Sequence, residues 1–136
     1  CLMAVKTSKN KAGDRVYTDG TVTGVMNVYK DKTAATLRIE ALDGGTASDA
    51  AVKRVADRAY RAACQAGVER LNVQAENGWR RTYRPNLKKN TTRINKLFAG
   101  YAAKNRGECV LTKREGVRKR GSGCERYAIP CRKGRK

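Results

Sequence analysis

Residues 49–67, DAAVKRVADRAYRAACQAG, run directly into VERLNVQA at 68–75, and this pair constrains the fold more than any other part of the chain. Val52, Val55, Ala56, Ala59, Ala63 and Ala66 recur at spacings of three and four, while Lys53, Arg54, Asp57, Arg58 and Arg61 take the other side. That is the period of an amphipathic helix. Ser48 and Asp49 supply an N-cap and a first-turn carboxylate, and Gly67 supplies the residue that ends the helix at C′. A face made largely of alanine implies close packing on a sheet. Leu71, Val73 and Ala75 then alternate as in a strand, and a helix that leads straight into a strand is half of a crossover unit.

Upstream, TVTGVMNVYK at 21–30 is rich in β-branched residues, with Gly24 interrupting the alternation as at a bulge. After the polar turn Lys30–Asp31–Lys32, the segment TAATLRIEAL sends Ala35, Leu37, Ile39 and Ala41 one way and Thr36, Arg38 and Glu40 the other. The two segments form a hairpin with one wet face. Downstream, Asn90 or Thr91 caps a second helix, TTRINKLFAGYAAKN, with Ile94, Leu97, Phe98, Tyr101 and Ala102 on one face and Gly107 ending it; ECVLT at 108–112 is a short final strand. The fold class is therefore α/β, a mixed sheet with helices packed on it in the order β-β-α-β-α-β. Residues 1–15 read as an N-terminal arm, poorly ordered or a strand-like lead, 16–112 as an α/β RNA-binding domain, and 113–136 as a basic C-terminal tail that orders only against a partner.

The partner can be inferred from charge. Lys and Arg number 31 against 12 Asp and Glu, a formal charge of +19 in 136 residues, and a compact domain with that excess repels itself unless a polyanion neutralises it. Residues 1–75 hold 12 basic and 8 acidic residues, whereas residues 76–136 hold 19 and 4. The first half reads as a globular core and the second as a binding apparatus. No apolar run approaches the roughly 18 residues of a spanning helix, and the basic segments lack a sustained apolar face. No membrane and no small-molecule substrate are expected; nucleic acid is.

Within NGWRRTYRPNLKK at 77–89, the cations Arg80, Arg81, Arg84, Lys88 and Lys89 accompany Trp79 and Tyr83 with no acid among them. Guanidinium groups pair with phosphate oxygens and aromatic faces stack on bases. The segment lies after a strand and before a helix N-terminus, whose free N–H groups also favour phosphate; the bland alternative is a solvated loop with Trp79 folded onto the core. In the tail, Arg118, Lys119, Arg120, Arg126, Arg132, Lys133, Arg135 and Lys136 fall in short clusters separated by glycines. Such an arm can reach several phosphate backbones of a folded RNA at once.

Chemistry beyond binding finds little support. There is no histidine, no nucleophile motif, no phosphate-binding Gly-rich loop and no C-x-x-C pair. YTDG at 17–20 resembles the first-strand motif of ribonuclease H, with Glu40 or Asp43, and Glu76, as further carboxylates, but TDG is also an ordinary turn. No catalytic residue, metal site or cofactor is expected. The five cysteines, Cys1, Cys64, Cys109, Cys124 and Cys131, lack the density of a disulfide scaffold. Free thiols in a reducing compartment are the expectation, with Cys64 a core residue; three thiolates from Cys109, Cys124 and Cys131 would lack an obvious fourth zinc ligand. Cys1 in place of Met reads as a processed or truncated terminus.

Two stretches resemble one family. GGTASDAAVKRVADRAYRAACQAGVERLNV at 44–73 is similar to the Gly-rich turn, alanine-rich helix and strand of small-subunit ribosomal protein eleven, and AIPCRKGRK at 128–136 resembles that family's carboxyl terminus. The Pro-Gly repeat of the family's RNA-contacting loop is absent from NGWRRTYRP. The large-subunit protein eighteen family shares a related fold. The resemblance implies a ribonuclease-H-like sheet of the translational-machinery type and a non-catalytic ribosomal protein whose partners are ribosomal RNA and neighbouring ribosomal proteins. A chain with a removed transit peptide would suit an organellar, mitochondrial ribosome. The alternatives are a viral or chromatin-like nucleic-acid-packaging protein and, behind it, a metal-dependent nuclease.

Overall fold

The computed structural model describes residues 5–40, 48–75, 85–112 and 124–131, with 85–90 and 111–112 described by their backbone alone. Among these residues there are seven strands and two helices: β1 (Lys6–Lys9), β2 (Arg15–Asp19), β3 (Val22–Val28), β4 (Ala34–Ile39), α1 (Asp49–Gln65), β5 (Arg70–Ala75), α2 (Pro85–Lys104), β6 (Glu108–Thr112) and β7 (Cys124–Pro130). They form one mixed sheet in the order β1-β2-β3-β4-β5-β7-β6. Only β4 and β5 are parallel, with Ile39 beside Ala75, and α1 makes the crossover between them.

One face of the sheet is apolar. Tyr17, Val22, Met26, Leu37, Ile39, Leu71, Val73 and Ile129 join Val52, Val55, Ala59 and Ala63 of α1 and Ile94 and Phe98 of α2 in a single buried cluster. Their neighbours in each strand, such as Thr36, Arg38, Asn72 and Gln74, take the opposite face, so the molecule is two layers thick. The α1 end signals act as expected: Ser48 Oγ accepts the Ala51 N–H at 3.1 Å, and Gly67 takes a φ of +95° beyond the last turn.

Several sequence expectations are corrected. The observed order is β-β-β-β-α-β-α-β-β. Of the two readings of residues 1–15, the strand-like lead agrees with β1, a fully exposed edge strand with a lysine at each end, a common protection against edge pairing. RVYTD, for which no strand is expected, forms β2; the turn reading of TDG holds in part, because Asp19 pairs with Val22 across Gly20 and Thr21, with Gly20 at φ +63°. Gly24 marks no bulge. It stays in continuous register with both neighbouring strands, and a Cβ there would lie 2.9 Å from Val55 Cγ1 and 3.0 Å from Ile39 Cδ1. Its role is the close approach of α1.

The second helix begins at Pro85, not at Asn90 or Thr91, because proline at the first helical position loses no hydrogen bond and brings a helical φ. The tail from 113 is corrected as well. Residues 124–130 form β7, inserted between β5 and β6, where Ala128 and Ile129 are buried. The strand lacks the apolar content to fold alone but needs none beyond its neighbours' cover.

Two disulfides hold it there, and they overturn the free-thiol expectation, including the reading of Cys64 as a core thiol. Cys64 of α1 bonds Cys131, and Cys109 of β6 bonds Cys124. By loop-closure entropy, a cross-link over 67 residues is worth about 4 kcal/mol and one over 15 residues about 3 kcal/mol. Such bonds persist in a non-reducing environment. With four of five cysteines paired, thiol titration of the denatured, unreduced chain should find one reactive group; five would contradict the pairing. Gly24→Ala should lower stability by about 1–3 kcal/mol through overpacking, read from the midpoint of chemical denaturation.

Candidate nucleic-acid interface

Strand direction gathers several connections at one end of the sheet. Ile39 of β4 and Ala75 of β5 are partners at their strands' carboxyl ends, Gly24 near the start of β3 is opposite Ile39, and Val73 of β5 is opposite Tyr127, from which β7 runs back to its start at Cys124. The β2–β3 turn, the exit from β4 toward α1, the exit from β5 toward α2, and the ends of β6 and β7 that bound residues 113–123 therefore share this end. Both helices also start here, and their N-terminal N–H groups favour anions. The chain segments between these ends, 76–84 and 113–123, contain eight basic and two acidic residues.

The sequence-derived RNA-binding residues divide into three groups. Trp79, Arg80, Arg81, Tyr83 and Arg84, with Arg118, Lys119 and Arg120, lie outside the described residues but between strand and helix ends that meet at this side. Lys88 and Lys89 belong to the first turns of α2 rather than to a loop. Arg126 is in β7, half-buried on the face without helices, and its Nε donates to Gln74 Oε1 at 2.7 Å. Arg132, Lys133, Arg135 and Lys136 also lie outside the described residues. They come after Cys131, whose N–H bonds the Glu69 carbonyl, and Pro130 is opposite Arg70 at the start of β5. The described chain thus ends, at Cys131, at the other end of the sheet.

The carboxylates that a nuclease would need do not converge. Asp19, 8 % exposed, lies on the helix side, where Arg54 Nε donates to its Oδ2 at 2.6 Å. Glu40 comes directly after core-facing Ile39 and is exposed; Asp43 and Glu76 lie outside the described residues. Among the described residues no group of three His, Cys, Asp or Glu could hold a metal ion, and no helix is long and apolar enough to cross a membrane. The thiols considered for zinc are consumed by the disulfides.

The helical layer carries a cationic surface, most of it in the half of the chain whose charge balance reads as core. Lys53, Arg54, Arg58 and Arg61 are exposed along α1, and Lys96 and Lys104 along α2. Two polar contacts tie the helices together: Arg93 to Asp49 at 2.9 Å, and the Tyr101 hydroxyl donating to Asp57 Oδ1 at 2.7 Å. Elsewhere, the Thr33 backbone N–H and hydroxyl lower the Asp31 pKa, and burial raises that of Tyr127. Burial, then the Asp57 hydrogen bond, pushes Tyr101 far above the ordinary phenol range.

The stabilisation linked to that proton is fully present below the unfolded tyrosine pKa of about 10 and is lost as pH rises from there toward the higher folded value. Tyr101→Phe should therefore be less stable than the parent at neutral pH, and the difference between the two should shrink above pH 10 in denaturation curves. Comparison of the chain with protein-family models, curated proteins and solved structures finds no match.

Proposed function

We propose that this chain is a non-catalytic RNA-binding protein of a ribonucleoprotein particle, with an organellar, mitochondrial ribosome as the particle that the family resemblance names. One observation carries the reading: the two most basic connecting segments, 76–84 and 113–123, are bounded by strand and helix ends that meet at one end of the sheet. Their eight basic residues suit the phosphates of folded RNA, and Trp79 and Tyr83 suit exposed bases. Affinity is then the sum of many phosphate contacts, each weak and salt-sensitive, while neighbouring ribosomal proteins and the particle hold the chain in place.

The finer fold reading, a ribonuclease-H-like sheet of the translational-machinery type, is supported by the antiparallel strands that lead through a helix into a parallel strand and a second helix. The added strands β1 and β7 are features that this reading does not account for. A nuclease on that fold is disfavoured, because Asp19 already has a cation beside it.

A second reading, a nucleic-acid-packaging protein of the viral or chromatin-like kind, is favoured by the two disulfides, which suit a particle outside the reducing compartments. Gradient sedimentation of the source extract separates the two: comigration with one ribosomal subunit at moderate salt supports the ribosomal reading, and spreading over all nucleic acid supports packaging. Under either, replacing Arg80, Arg81 and Arg84 together by Gln should reduce the slope of log affinity against log salt by about 2. An unchanged slope would remove this segment from the interface.

A further inference from the structure

Cross-strand partners in a sheet rarely carry like charges, because directly opposed cations destabilise the pair. Lys9 of β1 is opposite Arg15 of β2. Both line a groove of about 410 Å³ between this edge of the sheet and α1, and Arg58 approaches from the helix. Tyr17, 2 % exposed, and Ala62 form its apolar part, and Thr7 contributes a hydroxyl-bearing side chain to its rim. Elsewhere on the helical layer two cations have carboxylates, Arg54 with Asp19 and Arg93 with Asp49, while Lys53, Arg61, Lys96 and Lys104 are, among the described residues, single exposed charges outside this groove. Among the described residues, Lys9, Arg15 and Arg58 have no carboxylate within ion-pair distance.

We infer that this groove is a second nucleic-acid contact, which takes the phosphodiester backbone of RNA along the β1–β2 edge and α1. The inference rests on the RNA-binding reading above but locates binding in the half of the chain that charge counting treats as core. Three cations exceed what a single phosphate monoanion neutralises, so a backbone bearing successive phosphates fits better than one isolated anion. Lys9 supplies a compact ammonium, while Arg15 and Arg58 supply planar guanidinium groups able to take two phosphate oxygens each. The Thr7 hydroxyl adds an uncharged donor. Neutralisation by the bound backbone relieves the opposition of Lys9 and Arg15, so RNA binding should also stabilise this edge of the sheet.

The test uses the full chain with disulfides intact, a labelled RNA hairpin, and affinities measured across a salt series. One variant combines Lys9→Gln, Arg15→Gln and Arg58→Gln. A control combines Lys30→Gln, Arg70→Gln and Arg106→Gln, which removes the same charge from residues that do not line the groove. Thermal denaturation checks that both variants fold. The groove variant should lose about tenfold more affinity than the control near physiological salt, with a salt slope lower by about 2 than that of the parent. Equal losses in the two variants, with the parent binding RNA, would overturn the groove and leave the RNA-binding reading standing. A parent chain that binds no RNA would overturn both. If the groove variant does not fold, Arg58→Gln alone is compared with Arg106→Gln, and equal affinities would again overturn the groove.

Discussion

Ala56, Ala59 and Ala63 bring α1 so close to the sheet that Gly24, beneath Val55, has no room for a methyl group. That contact sets the path of the chain beyond α1. With the helix lying across the apolar face, the chain returns to the starting end of β4 and enters β5 parallel to it, so β4 and β5 both finish at the same end. The helix starts and the strand ends that bound the two basic connections meet there because the crossover does. The proposed interface is thus a consequence of packing small side chains against a sheet, an economy of volume that a bulkier helix face would not permit.

A net charge of +19 opposes this compact arrangement, and the molecule offsets it in two physically different ways. On the helical layer, the exposed Arg54 pairs with the buried Asp19 and Arg93 pairs with Asp49. Around β7, covalent bonds substitute for a large core: one disulfide ties the strand's end to α1 and the other ties its start to β6. Among the described residues, the remaining repulsion on the outer helical surface has no internal remedy on this scale. A polyanion supplies one, and folding and the proposed RNA binding are then coupled by charge.

The parts legible in the sequence were those whose pattern is local. The Ala and Val spacing of α1, the Ser48 cap, the Gly67 stop, and the alternation of β5 each carry their own signal and appear where the pattern puts them; in β4 Ala35, Leu37 and Ile39 do so, while Thr36, expected on a wet face, is buried, and Ala41 lies outside the described residues. β1 was legible only as one of two readings, and β7 was not legible, because neither has an apolar alternation of its own. KTSK is exposed throughout, and CERYAIP derives its place from pairing with β5 and from Cys64 and Cys109, whose disulfide partners are 67 and 15 positions away. Disulfide partners at such separations cannot be read from spacing in a chain with an odd number of cysteines. The candidate site divided similarly: basic runs were visible as composition, but the groove of Lys9, Arg15 and Arg58 exists only once β1 pairs with β2 beside α1.

The most direct measurement is ultraviolet cross-linking of the chain to RNA in its source extract, with the nucleotide-bearing peptides mapped by mass spectrometry. An interface at the crossover end of the sheet predicts cross-links concentrated in peptides that contain residues 76–84 and 113–123. Cross-links confined to the turns at residues 29–33, 66–69 and 105–107, on the far end of the sheet, would contradict it, as would recovery of the chain free of RNA.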